Sequence, residues 1–313
     1  MADERLVTVK SSGGDYTSLA AAIAGEAGDL VAADEWLHVE CYAMQDTSQV
    51  AVTGYTTNAS CYIKIDTPLS ERHQGVWDTN KYCINRDTYS TNLTISVANV
   101  LVEGLQSRNL VDEAFRLYGS IANVRLSKCI GISDSYIAFF IIGAPATVTN
   151  CLSVGSDRGF YIRGANSAYN CTAVNTGRYG FYTAYVTTSI YNCLSYNSGM
   201  ADFAIDAGTP VFTLNNCASS DGTADDFAGG NNRVNQTFSF RDAAHGDYHL
   251  AENDTGARGY GAVNPGSGLY LDDVDGQLRG ASWDIGFDQY VSSGPEPEGK
   301  MQKWYYHTQT MRG

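Results

Sequence analysis

Five cysteines stand at Cys129, Cys151, Cys171, Cys193 and Cys217, in steps of 22, 20, 22 and 24 residues. Four of them follow an asparagine: Asn150, Asn170, Asn192 and Asn216. A phenylalanine comes ten residues after the cysteine at Phe139, Phe181, Phe203 and Phe227, and nine after it at Phe160. Upstream, Leu105 takes the cysteine slot and Phe115 follows at ten. Six consecutive units therefore obey one two-position rule. The stretches YNCTAVNTG (169–177) and YNCLSYNSG (191–199) are its plainest statement.

A repeat of 20–24 residues has few physical solutions. The leucine frame of leucine-rich repeats is missing, and helical repeats run longer with a period of 3.6. Here the units alternate with period 2, so that Phe181 and Thr183, and in register Phe203 and Ile205, point one way. Glycine and Asn-Ser-Gly clusters punctuate them. The pattern predicts an all-β fold: a single-stranded right-handed parallel β-helix with coils of ~22 residues, each of about three short strands, stacked at about 4.8 Å.

In that stack the cysteine is a small buried hydrophobe, and the phenylalanines form a second inward column. Stacked cysteines would have parallel Cβ vectors, which suits a disulfide poorly, and no C-x2-C pair offers a zinc site. The asparagines are expected at a bend, each amide bonding to its equivalent one coil away. Asn175-Thr176-Gly177 and Asn197-Ser198-Gly199 read as turns that need a positive φ.

Composition agrees. Of the 313 residues 32 are glycine, 21 tyrosine and only 6 proline, and charged residues make up 17%. Short strands joined by tight turns have this make-up. The formal net charge is −14 and there is no basic run, so a nucleic-acid partner is not expected. No stretch reaches the roughly 18 apolar residues of a membrane helix, so membrane insertion is not expected. The opening MADERLVTVK lacks the apolar core of a signal peptide. The chain is expected to be made in the cytoplasm and to reach the outside, if at all, by lysis or a non-Sec route.

Three parts are expected: an N-terminal cap (1–35), the β-helix with its closing coils (36–290), and a linker with an aromatic, basic tail (291–313). In the cap, a strand at Leu6–Lys10 leads through a Gly-Gly turn to a short helix near Ser18–Ala24, capped by Asp15 or Thr17, that plugs the first coil. Glu35–Ala43 reads as the first full strand. The residues Gly14, Asp15, Tyr16, Ser18, Leu19, Ala22 and Ile23 resemble the opening of pectinesterase-like and pectate-lyase-like β-helix proteins. Phe240, Asp242, Gly246, Asp247, Tyr248 and Leu250, then Asp273, Asp275, Gly276, Arg279, Asp284, Ile285, Gly286 and Tyr290, resemble the closing D-x-D-G-x-x-R…D-I-G-x-x-[EQ]-Y region of bacterial and viral right-handed β-helix repeat proteins. That group's usual S-P-A-I-D-x-G is replaced here by NDTGARGYG.

Chemistry is harder to find. There is no G-x-S-x-G elbow, Walker A loop or H-E-x-x-H. The pair His245 and His249 reads as structure in the closing region. LDDVDGQLRG carries the D-x-D-G fragment of a calcium loop at Asp273 and Asp275 without the later bidentate glutamate, so turn and ion-pair contacts are the preferred reading and calcium the weak alternative. No cofactor is expected. The outward column beside the phenylalanines reads Arg116, Phe140, Tyr161, Tyr182, Ala204, with Asp157, Arg158, Arg163 and Arg178 nearby. Arg116, Tyr161, Arg163, Arg178 and Tyr182 are the candidate glycan-binding set, since tyrosine offers an apolar face with a polar tip. The acid pairs Asp202 with Asp206 and Asp225 with Asp226 are the candidates for a paired-carboxylate hydrolase. Trp304, Tyr305 and Tyr306 are read as an assembly tail that docks on a partner.

The resemblance implies a non-enzymatic structural or receptor-facing virion protein of a bacteriophage, of fibre, spike or decoration type. Its expected partners are copies of itself, as a trimer or filament, other virion proteins through the tail, and polysaccharide. The rival expectations are a polysaccharide lyase or glycosidase acting along the coil face, and a surface adhesin or glycan-binding module.

Overall fold

The computed structural model describes residues 2–119, 121–143, 145–185, 188–205 and 211–292. The assembly-tail residues Trp304, Tyr305 and Tyr306 lie outside them. The chain winds as a parallel β-solenoid of about eight coils with three faces: a ten-stranded, an eight-stranded and a seven-stranded sheet. Each strand pairs in parallel with the strand one coil away, which places like residues on like. Val39, Ile65, Val102, Leu126, Val148, Ala168, Ile190 and Leu214 are successive partners and form one aliphatic column. All eight are completely buried.

The two columns read from the sequence are present. Phe115, Phe139, Phe160, Phe181 and Phe203 stack with ring centroids 5.0, 4.6, 4.8 and 5.3 Å apart. The cysteines are free and buried. Phe227 departs from the expectation. The seven-stranded sheet ends at Ala201–Ile205, so the last coil offers no rung for it, and its ring turns to pack on Phe212 instead.

The bends follow one rule. Gly104, Lys128, Asn150, Asn170, Asn192 and Asn216, each just before its core cysteine or Leu105, have φ of 72°, 54°, 51°, 48°, 52° and 51°. Asparagine tolerates this left-handed region better than other side chains. At the next corner the positive φ expected of the two turns falls on Asn175 and Asn197. Gly199 is required for another reason: a Cβ there would collide with the Gly177 carbonyl one coil away. The expected amide ladder forms in part, with Asn192 Nδ2 donating to Asn170 Oδ1 at 3.2 Å and Asn197 Nδ2 to Asn175 Oδ1 at 2.8 Å.

At the N-terminal end, strand Asp3–Val9 extends the ten-stranded sheet beside Glu35–Cys41. Helix Leu19–Gly25 buries Leu19, Ala22 and Ile23 over the first coil. Covering the open end this way removes apolar surface worth roughly 1.5–3 kcal/mol for each large side chain. Its N-cap is Ser18, whose hydroxyl accepts from Ala21 N at 3.1 Å, not Asp15 or Thr17. Asp15 is occupied by the Thr8 N–H (2.8 Å) and hydroxyl (2.9 Å).

The closing region takes a different form from the expected coils. After strand Ala228–Gly230, residues 236–292 return along the outside of the solenoid as a cover. Tyr248, Val274 and Phe287 pack on Ile130, Leu152 and Val174, the outward residues of three successive coils. Phe238, Leu250, Ala257 and Ile285 continue this onto Leu194 and Ala218. The asparagine column grips the cover's backbone. Asn150 Nδ2 donates to the Asp272 carbonyl (2.9 Å), Asn170 Nδ2 to those of Asp284 and Gly286 (3.2 Å each), and Asn216 Nδ2 to that of Tyr260 (3.1 Å). Arg279, buried in the cover, donates to Asn150 Oδ1 (3.0 Å) and to the carbonyls of Gly286 and Phe287. Arg279 thus makes turn contacts, but its partners are backbone carbonyls and a neutral amide, not the carboxylate of an ion pair.

Candidate functional site

The cover lies on the eight-stranded sheet, and the seven-stranded sheet turns its own outer face to solvent. The pleat alternates there. With Phe115, Phe139, Phe160, Phe181 and Phe203 inside, the next residue of each strand points out, and Arg116, Phe140, Tyr161, Tyr182 and Ala204 are partners in register. Phe140 stacks on Tyr161 with centroids 5.2 Å apart, and Tyr161 meets Tyr182 at 5.1 Å with a tilt of 36°. Tyr179, two residues ahead of Phe181, stacks on Tyr182 at 4.8 Å. The result is a continuous aromatic ladder across three coils.

Arginines frame the ladder. The Arg116 guanidinium lies 5.2 Å from the Phe140 ring and 5.6 Å from that of Tyr118. Arg158 sits 5.4 Å from Tyr182, and Arg163 sits 4.8 Å from Tyr185. Tyr118 and Tyr185 are 54% and 58% exposed, so the ladder's rim presents ring faces to solvent. Rings flanked by guanidinium groups combine apolar stacking with directed donors.

The sequence-predicted residues divide between this face and its margins. Arg116 points outward from one strand, and Tyr161 and Arg163 from the strand two coils further on. Tyr182 belongs to the column but is only 6% exposed, because Tyr179 and Arg158 cover it; it supports the surface without forming it. Arg178 lies at the corner, where Nε donates to Asp157 Oδ1 at 2.9 Å and Nη2 to Asp157 Oδ2 at 2.5 Å. Its charge is answered by that carboxylate. Tyr118, Tyr179 and Tyr185 were not in the predicted set. Tyr118 follows from period 2 applied to Arg116, while Tyr179 is two residues from the inward Phe181, so the alternation gives no signal for it.

The carboxylates are accounted for separately. Asp202 is fully buried and receives the Ser195 and Ser198 hydroxyls (2.8 and 2.7 Å) and the Ser220 N–H and hydroxyl (2.7 Å each), so it ties coils together and is not a surface acid. Asp206 lies outside the described residues. Glu113 is tucked beneath the ladder's edge, with Oε2 accepting from Thr91 Oγ1 at 2.7 Å and Oε1 3.9 Å from Arg116. Burial, with Asp112 beside it, pushes its carboxyl up to about 7.

Asp273 and Asp275 sit in the cover and play different parts. Asp273 closes a turn, with Oδ1 accepting from Asp275 N (3.0 Å) and Gln277 N (2.8 Å) and Oδ2 from Gln289 N (3.1 Å). Asp275 turns inward toward His249, with Nε2 to Oδ2 at 3.2 Å. The calcium-loop fragment therefore does not gather its two aspartates around one point.

Nearby, a buried ion network joins the solenoid to the cover. Glu103 Oε1 lies 3.0 Å from Arg72 Nη1 and 3.2 Å from Lys128 Nζ, and Lys128 Nζ lies 2.6 Å from Asp272 Oδ2. Burial alone would raise the Glu103 carboxyl, but the Lys128 and Arg72 charges hold it well below the usual range. This network is structural.

No protein-family model matches this chain, and no curated protein matches it. The functional reading therefore rests on the site's own geometry.

Proposed function

We propose that this chain is a non-enzymatic, receptor-facing structural protein of a bacteriophage virion, of fibre, spike or decoration type, that assembles as an oligomer and contacts acidic glycans. The observation that carries the glycan contact is the aromatic ladder Phe140–Tyr161–Tyr182 with Arg116, Arg158 and Arg163 over its rings. Sugar rings present apolar C–H faces that stack on tyrosine, and their carboxylates accept from guanidinium groups. A solenoid whose coils share long columns is also a rigid platform, so binding there would cost little ordering entropy. The virion role is supported only by the resemblance of the opening and closing regions.

One observation favours a second reading, a lyase or glycosidase. Glu113, pushed up to about 7 by burial, carries a proton near neutral pH 3.9 Å from Arg116, as a general acid beneath this face would. Both readings are tested on immobilised and soluble acidic polysaccharides with the intact protein. Binding without release of oligosaccharides, weakened about tenfold by Tyr161→Ala or Arg163→Ala, supports the receptor-facing reading. Release of oligosaccharides, abolished by Glu113→Gln, supports the enzyme. Binding that neither Tyr161→Ala nor Arg163→Ala changes removes the ladder from the account. Isolation of the protein from phage particles tests the virion role separately.

A further inference from the structure

The cover and the loop between strands Ile63–Asp66 and Cys83–Arg86 meet at a small buried cluster that neither reading uses. His249 Nε2, a carboxylate oxygen of Asp275 and one of Asp288 all lie within 4.8 Å of one another. The His249 side chain is 3% exposed and Asp288 only 1%. His249 Nε2 has only the 3.2 Å contact to Asp275 Oδ2, and Asp275 Oδ1 and Asp288 Oδ1 are buried without a hydrogen-bond partner. Buried carboxylate oxygens are seldom left so, and two beside one imidazole call for a ligand.

The surroundings fit a cation. Asp247 Oδ1 sits 2.5 Å from His249 Nδ1 and holds a proton on that nitrogen, while Nε2 faces Asp275 Oδ2 at 3.2 Å, where a cation would take the place of the second ring proton. A carboxylate behind a ligating imidazole is the usual outer-shell partner of a bound metal. Asp288 is held the same way, its Oδ2 accepting from Leu250 N at 2.8 Å while Oδ1 faces inward. From the other side Gly75 (φ 68°) closes over the imidazole, and a Cβ there would collide with Nε2. Only glycine leaves that edge open. The mix of one imidazole with two carboxylates suits first-row transition ions, whereas calcium takes oxygen ligands alone.

We infer that His249, Asp275 and Asp288 form a structural site for a divalent first-row transition ion of the zinc or manganese kind, which fastens the cover to the solenoid. The other neighbour, His73, is excluded from the ligand set, because its Nε2 is engaged with the Lys128 carbonyl (2.9 Å) and its Nδ1 accepts from Gly75 N (3.2 Å).

The test uses the full chain, stripped with a chelator and then titrated with Zn2+, Mn2+ and Ca2+ by calorimetry, with elemental analysis of the dialysed protein. The expected result is one Zn2+ or Mn2+ per chain and a higher melting temperature with the ion than without. His249→Gln should abolish uptake. Asp247→Asn, which keeps all three ligands, should weaken it about 10–100-fold. Because His249→Gln also removes the contact of the ring with Phe287, the wild-type titration decides by itself. No uptake of Zn2+ or Mn2+ with an unchanged melting temperature overturns the site, and uptake of Ca2+ in their place overturns the ligand class.

Discussion

Asn192 holds Ala262 from both sides: its Oδ1 accepts the Ala262 N–H at 2.8 Å and its Nδ2 donates to the Ala262 carbonyl at 2.8 Å. One side chain thereby satisfies both backbone groups of a residue 70 positions away. Asn192→Ala removes both bonds and puts alanine at a φ of 52°. The expected cost is about 2–4 kcal/mol. Asn192→Gly keeps the turn and loses only the amide, so it should cost less. Urea denaturation of the two variants measures the difference, and hydrogen exchange should show faster exchange around residue 262 in both.

Lys128 occupies the asparagine slot in an earlier coil and neutralises Glu103 and Asp272 in a buried setting. Lys128→Ala removes the buried ammonium that Glu103 and Asp272 share and should destabilise by about 3–5 kcal/mol. Lys128→Met should be no better, because it fills the space without answering the charge. Equilibrium denaturation at neutral pH checks both. A loss below 1 kcal/mol would mean that Arg72 alone carries the network.

Phe160 lies at the centre of the ring stack, between Phe139 and Phe181. Phe160→Ala opens a void in a column that cannot collapse, since each neighbour is held at its own coil height. The expected loss is about 3–5 kcal/mol, with Phe160→Leu costing distinctly less. Thermal denaturation of the pair checks this.

Glu113 makes stability depend on pH. Its folded carboxyl is pushed up to about 7 from an ordinary value of 4.5, so between those values the folded chain binds the proton more tightly. The contribution is fully present below pH 4.5 and is lost as pH rises through 7, amounting to about 1–2 kcal/mol after allowance for solvent screening. Glu113→Gln, which still accepts from Thr91, should flatten that slope. Denaturation midpoints compared across pH 4.5–8 would show it.

The columns are legible in the sequence because each coil offers the same residue to the same slot; Cys151 and Phe160 are readable even across the shortened 20-residue coil. Phe227 misleads for the same reason: the spacing persists one coil beyond the sheet that uses it. The bend at Asn170 is foreseeable, but its grip on the Asp284 and Gly286 carbonyls is not, since backbone acceptors carry no sequence signature. Tyr161 is legible as outward-facing, whereas the burial of Tyr182 depends on Tyr179 and Arg158 leaning over it. His249, Asp275 and Asp288 share no local spacing. They meet because the cover folds back on itself, and the aspartate that looked like half of a calcium loop, Asp273, is turned away from them.

The cover crosses the coils at right angles to their winding, touching Asn216, Asn192, Asn170, Asn150 and Lys128 in turn. A bare stack of coils can fray from either end one rung at a time, since each rung knows only its neighbours. A batten nailed to five successive rungs abolishes that freedom. Pulled along its axis, this solenoid should resist as one body and then yield in a single rupture, without the sawtooth of rungs peeling one by one.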